Sequence, residues 1–263
     1  MNLMLAIQYV QKNGSPIEQE RLNFLIHDQP ASQEIVTEFY ASQNRDGSWS
    51  PFWSPDYISL DTTCFHLAQA QQLGIDINEP ALTTLIAFIA ERQKRDGSRE
   101  EEQSVAEIAP PWAKPGELSA LLYLTANCGY WLKRFQTYQE KVLLAGSYLA
   151  QHLDEKGQFA SFLHTHWLAA AVWQKIGMEQ QSHQTMRYLT TKLDQFSANN
   201  LAWMITALRS VDIPDNQPLI TDAIDRLTLL QQVDGRWQSD DGSEYDVHTT
   251  LEALFAHKLC GKI

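Results

Sequence analysis

Gln43-Asn44-Arg45-Asp46-Gly47-Ser48-Trp49 is the stretch that decides the fold, because it comes back. It reads Q-x-x-D-G-x-W. It returns whole as Gln231-Gln232-Val233-Asp234-Gly235-Arg236-Trp237, and without its Trp as Gln93-Lys94-Arg95-Asp96-Gly97-Ser98-Arg99. Looser echoes run Gln151-His152-Leu153-Asp154 with Gly157 and Phe159, and then Thr191-Lys192-Leu193-Asp194. A phrase that recurs every ~40 to 60 residues marks one supersecondary unit copied along the chain.

What surrounds the phrase defines the unit. Before it stands an amphipathic helix: Leu82, Leu85, Ile86 and Ile89 keep the i, i+3, i+4, i+7 spacing, and Leu219, Ala223, Leu227 and Leu230 make a similar stripe. The Gly suits a left-handed residue just past a helix end. After the phrase comes a helix that is apolar on most sides, as in 117–126, 162–173, 201–208 and 247–255, which predicts enclosure by protein. The chain therefore reads as all-α, with six helical hairpins over residues 1–263 as a single domain. The predicted pairs are 2–12 with 16–27, 31–44 with 59–73, 79–93 with 116–127, 137–152 with 161–175, 179–192 with 197–210, and 216–232 with 246–259. No stretch alternates as a strand does. Stacked hairpins of this kind form an open solenoid or a closed ring, and the lack of a polar capping repeat leans toward the ring.

Composition excludes several functions. The chain has 263 residues, 44% of them hydrophobic, with a formal charge of -12. So acidic a protein repels phosphate backbones, which argues against nucleic-acid binding. Three isolated cysteines (Cys64, Cys128, Cys260) form no disulfide framework and fit a reducing compartment, so a cytoplasmic location is expected. Residues 1–10 are apolar without the basic flank or cleavage site of a signal peptide, and read as a helix. No run reaches transmembrane length, while peripheral membrane contact stays open.

The repeated phrase resembles the QW repeat of squalene and oxidosqualene cyclases, whose α/α toroid is shared by protein prenyltransferase β subunits. The clearest matches are Asp46 to Trp49 with Leu60-Asp61-Thr62-Thr63, and Asp234 to Trp237 with Asp246-Val247-His248-Thr249-Thr250. The resemblance implies a single (α/α)6 toroid with a hydrophobic central cavity. It also implies that the phrase is a brace, its Gln bonding toward the next helix end and its Trp stacking there. Two departures stand out. Full triterpene cyclases carry two such barrels and a D-x-D-D acid motif; here there is one barrel and no D-x-D-D. Prenyltransferase β subunits hold zinc with an Asp-x-Cys and a later His; only the surroundings of that His are matched, at Asp246 to Thr249.

The resemblance implies a polyprenyl or triterpenoid substrate, cyclised by protonation. Asp61 and Asp246, each at the start of an inner helix, are the candidate acids, and His248 is a third catalytic candidate. An acid of this kind must be neutral, so burial must raise its pKa. The competing reading makes both aspartates helix N-caps, which favours the charged form, and with no carboxylate beside Asp61 in sequence capping is the favoured reading. Trp53, Tyr57, Phe65, Trp112, Tyr123, Phe162, Trp167 and Trp203 are the candidate substrate-lining aromatics. They would shield a cation or hold an isoprenoid chain, or else pack the core. No cofactor is expected, although zinc or magnesium on His248, Asp246 and His164 stays open, as does a helical partner subunit in a prenyltransferase-like arrangement. A non-catalytic isoprenoid-, lipid- or protein-binding toroid is the remaining alternative. Asp240-Asp241-Gly242-Ser243-Glu244 reads as a solvated acidic loop. The long connection 97–115, with Glu100, Glu101, Glu102, Glu107 and then Pro110, Pro111, Trp112 and Pro115, reads as a lid, a partner contact or a mobile acidic insertion.

Overall fold

In the computed structural model, which describes residues 1–263, twelve α-helices account for the regular structure. They are α1 (Leu3–Asn13), α2 (Pro16–His27), α3 (Gln33–Tyr40), α4 (Leu60–Gln72), α5 (Pro80–Glu91) and α6 (Leu118–Leu132). The second half holds α7 (Gln139–Ala150), α8 (Leu163–Ile176), α9 (Glu179–Thr190), α10 (Ala198–Arg209), α11 (Pro218–Leu229) and α12 (Asp246–Leu259). There is no strand, only an isolated bridge between Trp49 and Ser59. All twelve predicted helices are present. The largest difference is α6, which runs on to Leu132 because Cys128, Gly129, Tyr130 and Trp131 continue the buried surface. At the first hairpin, Ser15 and Glu18 close a capping box ahead of Pro16, which sets where α2 begins.

The chain divides into two compact units. One comprises Met1–Phe39, Gln72–Ile75 and Leu189–Ile263, and the other Tyr40–Gln71 and Asp76–Tyr188. In the first, α12 packs against α10, α1 and α2. In the second, α6 packs against α5, α7 and α8. The helices α6, α8, α10 and α12 are buried on nearly every side, as their composition requires.

The repeated phrase works as a clamp whose parts are all visible. Asp46 Oδ1 accepts from the Ser48 backbone N–H and hydroxyl at 3.1 and 2.6 Å, closing an Asx-type turn, and Asp96 does the same with Ser98. Gly47 (φ +88°) and Gly235 (φ +96°) sit against the next outer helix so closely that an added Cβ would lie 2.4 Å from Leu85 N and 2.3 Å from Leu5 C. Gln43 then donates to Gly47 O and Ala81 O, Gln93 to Gly97 O and Lys141 O, and Gln231 to Gly235 O and Asn2 O. Each intact phrase thus ties down the first turn of the following outer helix, and the last ties down α1.

Where the phrase has decayed, the next outer helix reaches back instead. Gln184 on α9 donates to Asp154 O and Glu155 O, and Arg226 on α11 holds Asp194 through its carboxylate and carbonyl. The Trp position is tied to the hairpin's own inner helix. The backbone N–H groups of Trp49, Arg99 and Trp237 donate to Thr63, Thr125 and Thr250 hydroxyls, and that of Phe159 to His166 Nε2. The Trp49 ring lies flat on His66 at 4.3 Å, and Trp237 leans on His257 at 5.6 Å. The stacking expected against a neighbouring helix end is therefore made on a histidine of the same hairpin.

Candidate functional site

Asp61 stands in the first turn of α4, but it does not cap it. The cap is Ser59, whose hydroxyl accepts from Thr62 N at 3.2 Å. The remaining free N–H groups of that turn, Leu60 and Asp61, donate to the carboxylate of Glu101 at 3.1 and 3.3 Å. Relieved of capping, the Asp61 carboxyl turns toward protein. Tyr123 on α6 donates its hydroxyl to Oδ1 at 2.7 Å, and the Trp112 indole donates to Oδ2 at 3.0 Å. Asn127, one turn along α6, donates to the Tyr123 oxygen at 3.3 Å and so directs the Tyr123 proton at Asp61. Burial raises the Asp61 pKa, and the Tyr123 and Trp112 hydrogen bonds only partly oppose it. The capping reading of Asp61 is thereby replaced by a half-buried carboxyl held by two aromatic donors.

Its surroundings are apolar. Phe65, one turn further along α4, is 46% exposed, and Leu118 at the start of α6 is 44% exposed. Phe162 meets the Tyr123 ring edge-on at 6.2 Å, and His164 stands 6.1 Å from the same ring. The sequence-predicted aromatics Phe65, Trp112, Tyr123 and Phe162 thus share one unit with Asp61. Tyr57 belongs there too, but it is buried: its hydroxyl donates to Glu101 at 3.1 Å, and its ring lies 5.8 Å from Trp53. Trp167 is fully buried (0%) and packs in the core, where no substrate reaches it. Trp203 is on α10, in the other unit.

The long connection between α5 and α6 is tied to α4 at two points. It delivers Glu101, almost wholly buried, to the N-terminus of α4, and Trp112 to Asp61. An acidic run that reads from sequence as a lid, a partner contact or a mobile insertion contains one carboxylate that four donors hold in place. Nothing in the run Glu100-Glu101-Glu102 separates the middle residue from its neighbours, so only the fold identifies it.

Asp246 and His248 stand in the other unit. The Asp246 carboxylate accepts from Ser239 N at 2.8 Å and pairs with Arg236 at 3.3 Å. It is buried and ion-paired within the last phrase, where it braces the turn before α12. His248 is part of a buried polar cluster with Arg21, Gln72 and Glu252. Arg21 donates to His248 Nδ1 at 3.1 Å and to Glu252 at 3.3 Å, and both Nε and Nη2 of Arg21 contact Gln72 Oε1. Since arginine only donates, His248 Nδ1 must be unprotonated. Burial and the Arg21 charge push the His248 pKa down to about 3. No three His, Cys, Asp or Glu side chains are grouped so as to hold a metal ion, so His248, Asp246 and His164 do not assemble into the ligand set considered above. Asp240, Asp241 and Glu244 are exposed, as expected of a solvated loop, with Asp241 accepting from Asn199 at 3.2 Å. No helix is long and apolar enough to cross a membrane.

No protein-family model matches the sequence, and no characterised protein matches it at sequence level. Solved structures do match. A crystal structure of a protein from Actinoplanes is similar with a TM-score of 0.64 at 14% identity, over 98% of each chain. A variant of the type II terpene cyclase MstE from Scytonema, in complex with the substrate geranylgeranyl dihydroxybenzoate, gives 0.64 at 13% identity, over 99% of this chain and 97% of that one. The apo form of the same cyclase gives 0.60 at 13% identity, over 98% and 96%. The chain thus has the fold of the type II terpene cyclases. The coverage bears on the single barrel alone: that type II cyclase chain is matched over 97% of its length, while the D-x-D-D motif stays absent here.

Proposed function

We propose that the protein is a type II terpene cyclase-like enzyme that binds a polyprenyl chain and cyclises it by protonation, with Asp61 as the acid. The observation that carries this reading is the Asp61 carboxyl itself, which is half-buried, raised in pKa by desolvation and held by the Tyr123 hydroxyl and the Trp112 indole. In this mechanism the Asp61 proton passes to a terminal alkene carbon of the substrate. The tertiary carbocation that forms is attacked by the next double bond along the chain. Loss of a proton from the cyclised cation ends the reaction and balances the charge. Phe65, Tyr123, Trp112 and Phe162 present ring faces and edges near the acid, where cation–π attraction stabilises positive charge and exclusion of water prevents quenching. Tyr123 and Trp112 hold the Asp61 oxygens in a fixed orientation and re-bind the carboxylate left after transfer.

The likeness to MstE supports a polyprenyl chain as the substrate class, and a prenylated aromatic acid is included among the test substrates for that reason. The three cysteines are all free and buried, consistent with a reducing compartment. The test is incubation of the full chain with C10 to C30 polyprenyl diphosphates, squalene and geranylgeranyl dihydroxybenzoate, followed by product analysis. Cyclised product with the native chain, lost by at least a thousandfold in Asp61→Asn, is the expected result. Tight binding of these compounds without turnover refutes catalysis and supports the binding-only reading.

A further inference from the structure

Two carboxyl residues stand at the start of α4, Glu101 buried and Asp61 half-buried, and their hydrogen bonds are unequal. Glu101 Oε1 accepts from the Ser59 hydroxyl at 2.7 Å and from Asp61 N at 3.3 Å. Its Oε2 accepts from the Tyr57 hydroxyl and from Leu60 N, both at 3.1 Å. Ser59 Oγ accepts from Thr62 N at 3.2 Å and Tyr57 oxygen from Glu102 N at 2.7 Å, and the Glu101 carboxylate is the acceptor within reach of each hydroxyl proton. Four donors fill the lone-pair directions of both oxygens, and two of them are backbone N–H groups at the positive end of a helix. A proton on Glu101 would face a donor wherever it sat. Asp61 differs, since each of its oxygens accepts a single hydrogen bond and keeps one direction open.

We propose that Glu101 is a positioning residue: a permanent anion that keeps the one proton of the Glu101–Asp61 pair on Asp61. The Asp61 charge acts on Glu101 and raises its pKa, and two interacting carboxylates repel, so ionising one disfavours ionising the other. Burial pushes both groups up, which makes the doubly charged pair costly. The donor inventory then decides which oxygen set carries the charge. The other titratable or charged groups around the pair are Tyr57, Cys64, Glu102, Tyr123 and Cys128, with Arg99, whose charge acts on the two thiols. None of the carboxyl groups among them lies between the pair. Glu101 thereby supplies from a loop what sequence proximity did not provide: the partner carboxylate an acid needs in order to stay protonated.

The proposal rests on the cyclase reading for its purpose, yet its test does not need turnover. Carboxyl carbon NMR of the full chain, with Asp and Glu labelled, follows both groups through a pH titration. Asp61 is expected to take up its proton at higher pH than Glu101; the reverse order overturns the proposal. In Glu101→Gln the protonated fraction of Asp61 at neutral pH is expected to fall roughly tenfold or more, for loss of a unit charge nearby. Should that variant fail to fold, Asp61→Asn gives the reciprocal reading, with the Glu101 midpoint moving to lower pH. An unchanged midpoint in the folded variant overturns the coupling. Where turnover is found, the alkaline limb of its pH profile should shift to lower pH in Glu101→Gln, an effect that a merely structural loss would not produce. Correct carboxyl coupling without any cyclised product would refute the cyclase reading and leave the Glu101 assignment standing.

Discussion

Replacing Arg99 by Trp should stabilise the protein, although Arg99 is fully buried and a core substitution usually destabilises. Arg99 occupies the Trp position of the second phrase. Its Nε donates to Ile89 O at 3.2 Å, the same bond across the same ten residues that Trp237 Nε1 makes to Leu227 O at 2.6 Å. One nitrogen of the guanidinium therefore imitates an indole. The other two, Nη1 and Nη2, are buried without an acceptor. No carboxylate pairs with the group, and burial lowers its pKa. An unpaired buried cation carries a penalty of several kcal/mol, whereas an indole in the same place makes the one available hydrogen bond and leaves no charge. Against this stands the larger ring, worth about 1–3 kcal/mol of overpacking. The side chain behind it is smaller than in the first hairpin: Cys128 stands where that hairpin has His66, each three residues after the Thr that receives the phrase backbone. The net expectation for Arg99→Trp is a gain of about 2 kcal/mol. Urea unfolding followed by circular dichroism would register it as a midpoint raised by about 0.5–1 M at unchanged slope. A lowered midpoint at the same slope would refute the reasoning. It would mean that overpacking by the indole outweighs the relief of the buried guanidinium.

Two further expectations concern the clamp and the histidines. Gln231→Ala removes the bonds to Asn2 O and Gly235 O and the 2.6 Å bond from Asn2 N; because the site is exposed, the cost is about 1–2 kcal/mol, concentrated on α1. Amide exchange over residues 2–6 should accelerate while α6 is unaffected, and unchanged exchange there would refute the clamp. Acidification should destabilise the fold, because His166 Nε2 accepts from Phe159 N while Nδ1 faces Phe162 O, leaving no room for a second ring proton. The His166 pKa is pushed down from 6.5 to about 4, and that of His248 to about 3. Both folded-state values are depressed, so the unfolded chain binds the extra protons. Their contribution is therefore complete above 6.5 and is lost as pH falls toward 4, by about 2 kcal/mol per histidine between pH 7 and 5. A urea midpoint that does not fall between those pH values would refute neutral burial, and His166→Gln should shrink the drop.

The sequence by itself determined the all-helical hairpin architecture. The reason is local: Q-x-x-D-G-x-W contains its own Asx turn, its left-handed Gly and its helix stop, and these act within seven residues. The apolar periodicity on either side then tells an outer helix from an enclosed one. Even the decay of the phrase at Asp154 and Asp194 was legible, and the structure shows Gln184 and Arg226 taking over there.

The candidate site was legible only in part. Asp61, Trp112, Tyr123 and Phe162 could be named singly, but not as a group, because the contacts joining them span 51 and 62 residues. A capping role for Asp61 was the natural reading while the identity of the real cap was hidden. That role belongs to Ser59 and to Glu101, a residue 40 positions away in a run that sequence leaves as a lid, a partner contact or a mobile acidic insertion. Which of several similar carboxylates is buried, which is paired with an arginine and which is free to hold a proton depends on donors brought in from other helices. Sequence spacing carries no record of those donors, and the tertiary structure alone sets Asp61 apart from Asp246.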